Sequence, residues 1–161
     1  MRYMSPFSKR RHFPRVPFLR QECYNRGVDV LITPEAGREI EALRALRAAP
    51  STWGVLIGHK RGPRVIVEKV FPAGSGAAPF DEAAAAELER IWPGRVVGVF
   101  AVRPGPAFRK AVLAPLFYGK VVLDLDLTRR TVLMRPAVVD FDRKFFLAPA
   151  GLAPAVKGRR P

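Results

Sequence analysis

Val96-Val97-Gly98-Val99-Phe100-Ala101-Val102 is an almost continuous apolar run, closed by Arg103-Pro104-Gly105-Pro106. A run this short and this rich in β-branched residues predicts a strand covered on both faces, and so the middle of a sheet. On its N-terminal side, Asp81 caps a helix through Glu82, the Ala83–Ala86 run, Leu88 and Ile91, which Pro93-Gly94 stops. Further back, Trp53–Gly58 and Arg64–Phe71 predict an antiparallel hairpin joined by the loop His59–Pro63. Val28–Thr33 predicts a strand. Thr33-Pro34-Glu35 then starts a helix, with a hydroxyl cap, proline at the first helical position and an acid on the positive end of the dipole. That helix is expected to reach about Ala49, with Ile40, Leu43 and Leu46 on its apolar side, and to end at Pro50. On the C-terminal side, Phe108–Tyr118 predicts a short helix interrupted by Pro115. Lys120–Leu127 and Thr131–Val139 predict a second hairpin, turning at Thr128-Arg129-Arg130, and the last twenty residues show no period.

These elements fit one domain of 161 residues, of which 48% are hydrophobic, enough for a single sizeable core. The fold class they predict is α/β (α+β): a mixed central β-sheet flanked by helices. No run approaches the ~20 apolar residues of a membrane-spanning helix, so no membrane is expected. The lone cysteine, Cys23, excludes an intramolecular disulfide and fits a reducing compartment, so the expected location is cytoplasmic. The bias toward Ala, Arg, Pro and Gly points to a GC-rich bacterial genome.

The net charge of +14 is unevenly spread. Residues 1–26 hold seven basic residues against Glu22, alternating with Tyr3, Phe7, Phe13, Phe18 and Tyr24, and read as a basic N-terminal arm. Residues 149–161 read as a basic C-terminal tail carrying Lys157, Arg159 and Arg160. Residues 27–148 form the domain between them and are only mildly basic. Guanidinium groups neutralise phosphates and aromatic rings stack on bases, so Lys9, Arg10, Arg11, Arg15 and Arg20 are candidates for nucleic-acid binding. The bland reading of the same arm is that its Phe and Leu residues fold back on the domain and leave the arginines solvated.

The element order and three local segments together resemble the MPN/JAMM (Mov34/JAB-type) family. Val28–Thr33 followed by a helix is similar to the family's opening, and Trp53-Gly54-Val55-Leu56-Ile57-Gly58 to its Gly-x-Leu-x-Gly strand. Val96–Phe100 followed by Ala101-Val102-Arg103-Pro104 is similar to the strand that enters a His-x-His-Pro zinc motif. The resemblance covers roughly residues 28–140 and implies a zinc hydrolase in which two imidazoles and an aspartate hold the metal, a glutamate acts as base and a serine lies near the oxyanion. Carried over position by position, the histidines fall on Ala101 and Arg103, the serine and aspartate on Ala111 and Ala114, and the glutamate on Ser51. None of the five is kept. With only His12 and His59 in the chain, no slip of alignment supplies another His-x-His. The resemblance therefore implies a degenerate, non-catalytic member, with no cofactor, acting as a protein-binding or scaffolding module. In that family a groove beside the site accepts an extended peptide. Arg103, Phe108, Arg109 and Lys110 would line it here and favour a protein partner with an acidic or extended segment.

Other constellations read more blandly. Asp124 and Asp126 alternate with leucines and share one strand face, which can present a carboxylate pair for acid/base work; equally, it is a solvated face opposite Arg129, Arg130 or Arg135. Asp140 and Asp142 have the same spacing. His59 reads as a surface residue of a basic loop, and Gly54, Gly58 and Gly62 lack the Lys-Ser/Thr ending of a phosphate loop.

Overall fold

The computed structural model describes residues 27–76 and 79–153. The described residues form one α+β domain whose eight strands make a single mixed sheet in the order β7-β6-β5-β4-β2-β3-β1-β8. The strands are β1 (Asp29–Ile32), β2 (Thr52–Arg61), β3 (Arg64–Ser75), β4 (Val96–Val102), β5 (Val121–Asp126), β6 (Leu133–Asp142), β7 (Lys144–Pro149) and β8 (Gly151–Ala153). Three helices join them: α1 (Pro34–Ala45), α2 (Glu82–Ile91) and α3 (Pro106–Ala111), with a 3-10 turn at Pro115–Phe117. No described helix is long and apolar enough to cross a membrane.

β4 is the strand that its composition predicts: all seven residues are buried and it lies fourth in the sheet, antiparallel to β2 and parallel to β5. The two expected caps form. Thr33 Oγ1 accepts from the Ala36 N–H at 3.2 Å, and Asp81 Oδ1 from the Ala84 N–H at 2.9 Å. The first hairpin is antiparallel but longer than expected, since pairing continues to Arg61↔Arg64 and leaves only Gly62-Pro63 in the turn. Gly62 takes φ 60°, a conformation glycine adopts without steric penalty. His59 thus lies in a strand, half-exposed, with Nδ1 3.4 Å from Glu68 Oε1.

Three boundaries need correction. α1 ends at Ala45, a turn before Ala49, because the chain swings at Arg47 into φ 52°; Leu46 is consequently 80% exposed instead of lying on the apolar side. The third helix begins at Pro106 and not Phe108, a proline being well placed where no N–H is needed. The last twenty residues are not irregular throughout. β7 pairs antiparallel with β6, and β8 pairs parallel with β1, so residues 149–153, assigned to a basic tail, belong to the sheet.

Those final strands close the fold. β7 and β8 stand at opposite ends of the strand order yet are separated only by Ala150, whose N–H donates to Pro136 O at 3.1 Å while Gly151 N–H donates to Val28 O at 2.9 Å. The sheet is therefore curled until its two ends share one stretch of chain. α1 fills the inside of the curl, burying Ala36, Ile40 and Leu43 against Val30, Val67, Phe100 and Leu123. Arg44 Nη1 reaches Arg130 O at 3.1 Å, linking α1 to the β5–β6 turn. α2 and α3 lie on the other face, α3 over Val99, Ala101 and Val122, and α2 over Val55, Ile57 and Val96.

Candidate binding groove

Strand register assembles a row of residues that no local stretch of sequence contains. On the outer face Trp53 pairs with Ala101, Ala101 with Asp124, and Asp124 with Arg135, crossing β2, β4, β5 and β6. α3 lies over this row. It is too short to hold itself together and its Gly105 cap gives no side-chain hydrogen bond, so packing must fix it. Phe108, 1% exposed, does this from the middle of the helix, seated among Val99, Ala101, Val112, Phe117, Val122 and Val139.

With Phe108 pointing down, Arg109 points across. Its Nη2 lies 3.0 Å from Asp124 Oδ2, and Asp124 is itself faced by Arg135 from β6. The carboxylate is only 16% exposed, against 57% for Arg109. Burial pushes the Asp124 carboxyl above its usual range, and the two guanidinium groups recover only part of that shift. Asp126, one repeat along and little more exposed at 20%, is shifted the other way by hydrogen bonds from Thr128 Oγ1 and N–H, aided by the charges of Arg103 and Arg129. The two aspartates are thus separate ion pairs on a basic face, not a carboxylate pair converging on one point. Between α3 and β5–β6 Asp124 borders a groove of about 320 Å³, walled by Pro104, Pro136, Leu147 and Pro149, with Arg109, Asp124 and Arg135 as its polar groups.

Of the five positions that the resemblance equates with a zinc site, Ala101 and Ala114 lie at the Trp53 end of the row. Ala101 is fully buried, and Ala114 packs in the same cluster with Trp53 and Phe80. Ser51 N–H donates to Val102 O at 2.7 Å, which brings Ser51 beside the residue preceding Arg103. Ser51 and Arg103 both take left-handed backbone, φ 66° and 45°, at a cost of about 1 kcal/mol each for residues with a Cβ. Ala111 ends α3 and is half-buried. Two methyl groups at Ala101 and Ala114 and a permanent cation at Arg103 do not fit a divalent ion. Among the described residues no three His, Cys, Asp or Glu side chains come together.

Of the expected partner-binding residues, Arg103, Arg109 and Lys110 are exposed, whereas Phe108 lies in the core and offers no surface. Lys9, Arg10, Arg11, Arg15 and Arg20 lie outside the described residues. In sequence Arg135 stands out only as a counter-charge, and nothing places Trp53 beside Ala101. The signal that joins them is register, which is written in pairing across four strands and not in any one motif.

No protein-family description matches the chain, and no curated protein matches it. Among solved structures, the chain is similar to the solution structure of protein DSY2949 from Desulfitobacterium hafniense, at 14% identity and a TM-score of 0.55. The similarity covers 81% of this chain and 97% of that one, and speaks for the fold alone.

Proposed function

We propose that this chain is a metal-free relative of the MPN/JAMM hydrolases that works as a protein-binding module, holding an extended acidic segment of a partner in the groove between α3 and β5–β6. The observation that carries the reading is the Arg109–Asp124–Arg135 arrangement in an apolar-walled groove, directly beside the position where that family would place its first zinc histidine and this chain has Ala101. A guanidinium presents N–H groups in a planar fork that matches a carboxylate, and Arg109 spends one of its terminal nitrogens on Asp124. An acidic side chain entering the groove meets Arg109 and Arg135 as counter-charges, with Arg103 and Lys110 extending the basic surface. Pro104, Pro136 and Pro149 carry no N–H, so the walls supply shape and apolar contact while the arginines supply orientation.

The test is fluorescence anisotropy with a labelled oligoglutamate peptide and the full-length chain. Replacing Arg109 and Arg135 with alanine is expected to weaken binding about tenfold, as loss of charge-assisted hydrogen bonds does. Unchanged binding refutes the groove. The competing reading is a nucleic-acid-binding protein using residues 1–26 and the C-terminal tail. It predicts that a labelled single-stranded oligonucleotide binds with a steep salt dependence that deletion of residues 1–26 removes and the groove substitutions leave intact. One equivalent of zinc by elemental analysis of the purified protein would overturn the metal-free assignment.

A further inference from the structure

α2 is an unusual cover for a sheet, because none of its ten residues is buried and Ile91 is 49% exposed. Its C-terminal end is held by Trp92, which stacks on Phe71 at 5.1 Å. Beneath the rest of the helix lies a cavity of about 310 Å³ walled by Phe80, Leu88, Val99, Leu116 and Phe117. That is the size and lining of a small-molecule site, in which apolar walls take the body of a ligand and a few polar groups fix its orientation.

The polar groups here are asymmetric. Lys120 is half-buried where the chain enters β5, and its Nζ donates to Val96 O at 2.5 Å. An ammonium carries three N–H donors, so further donors remain to face the cavity. Lys60 stands close by, its Nζ donating to Gly119 O at 2.6 Å. The two acids on the lining, Glu82 and Glu89, sit on the exposed side of α2, and Glu89 already accepts from the Gly94 N–H. The innermost charge is therefore a cation with a second cation beside it, and the acids are at the rim.

We propose that this cavity binds an amphipathic carboxylate, a molecule with a single anionic head and an apolar body, with Lys120 holding the head and the space beneath α2 taking the body. The ligand's head joins Glu89 as a counter-charge to Lys120. Burial and the neighbouring Lys60 both push the Lys120 ammonium below its ordinary range, and Glu89 offsets this only in part. The apolar body covers the walls that α2 leaves incompletely packed. This site is distinct from the Arg109 groove and shares no lining residue with it.

The experiment is isothermal titration of the full-length chain with octanoate, 1-octanol and octylamine, which share an alkyl body and differ in the charge of the head. Octanoate is expected to bind with a stoichiometry of one and octylamine not to saturate. Lys120→Met keeps the aliphatic stem and should weaken octanoate about tenfold or more, leaving 1-octanol unchanged. Ala85→Phe, which fills the cavity from α2, should abolish both. Lys120→Gln serves if the methionine variant does not fold. Octylamine binding as tightly as octanoate, equal octanoate affinity in the Lys120 variants, or no octanoate binding by the folded protein would each overturn the proposal.

Discussion

Replacing Phe108 with alanine tests how α3 and its arginines are held in place. The side chain is 1% exposed and is the only residue of the helix counted among the buried core. Truncating a buried phenylalanine removes the transfer energy of the ring and leaves a cavity, together about 3–5 kcal/mol. In a domain of this size each kcal/mol moves the melting temperature by about 2–4 °C, so a loss of about 10 °C is expected. The comparison is Arg109→Ala, which removes a pair whose arginine is 57% exposed and should cost less than about 1 kcal/mol. Urea denaturation of both variants, with the slope checked for constancy, measures the difference. Should Phe108→Ala cost under about 1 kcal/mol, or Arg109→Ala cost as much as it does, α3 is held by its charges and not by its ring, and the account of the groove fails with it.

Two further outcomes follow from the structure. Because the Asp124 carboxyl is raised in the folded protein, the folded state takes up its proton more readily than the unfolded one; the stability it contributes is present below the ordinary aspartate pKa and lost as pH rises through the folded value. Asp124→Asn should thus be at least as stable as the parent at about pH 7, with the gap closing by about pH 3, below the reference aspartate pKa; a parent that loses ground to the variant on acidification would refute this. Gly54→Ala would place a Cβ 2.0 Å from Phe71 O and 2.4 Å from the Phe100 ring, so denaturation should show a loss of about 1–3 kcal/mol, whereas Gly37→Ala on α1, with nothing within 4 Å, should gain about 0.5–1 kcal/mol.

What could be read from the sequence was local chemistry. Thr33 and Asp81 cap their helices because hydroxyl and carboxylate oxygens reach an N–H three residues on, and that needs no knowledge of the rest of the fold. Val96–Val102 is central because a strand with no polar side must be covered twice. β7 and β8 are hidden in the sequence because Pro149 and Gly151 punctuate them and because β8's partner β1 is distant in sequence, while β7 turns back on β6 through Arg143 alone, with no glycine or proline to mark the hairpin. Leu46 misled because helical spacing says nothing about the left-handed turn at Arg47 that takes it out of the helix. The basic character of the groove was visible in Arg103, Arg109 and Lys110. Which of its residues faced inward was not, since Phe108 and Arg109 are neighbours in sequence and only packing against β4 and β5 sends one into the core and the other across to Asp124. Lys120 likewise reads as an ordinary strand-opening lysine until α2 is placed above it.

Because β1 is flanked by β8 as well as β3, its second edge is satisfied by the last described segment of the domain. During synthesis that edge stands open, its N–H and C=O groups unclaimed, until almost the whole domain has left the ribosome. A chain cut short before Gly151 would keep α1 and most of its core but leave one edge of β1 permanently open, and such a fragment should self-associate more than the domain that includes β8. The three residues of β8 therefore act as a seal against aggregation, set late and separated by only one residue from Pro149, which walls the proposed groove.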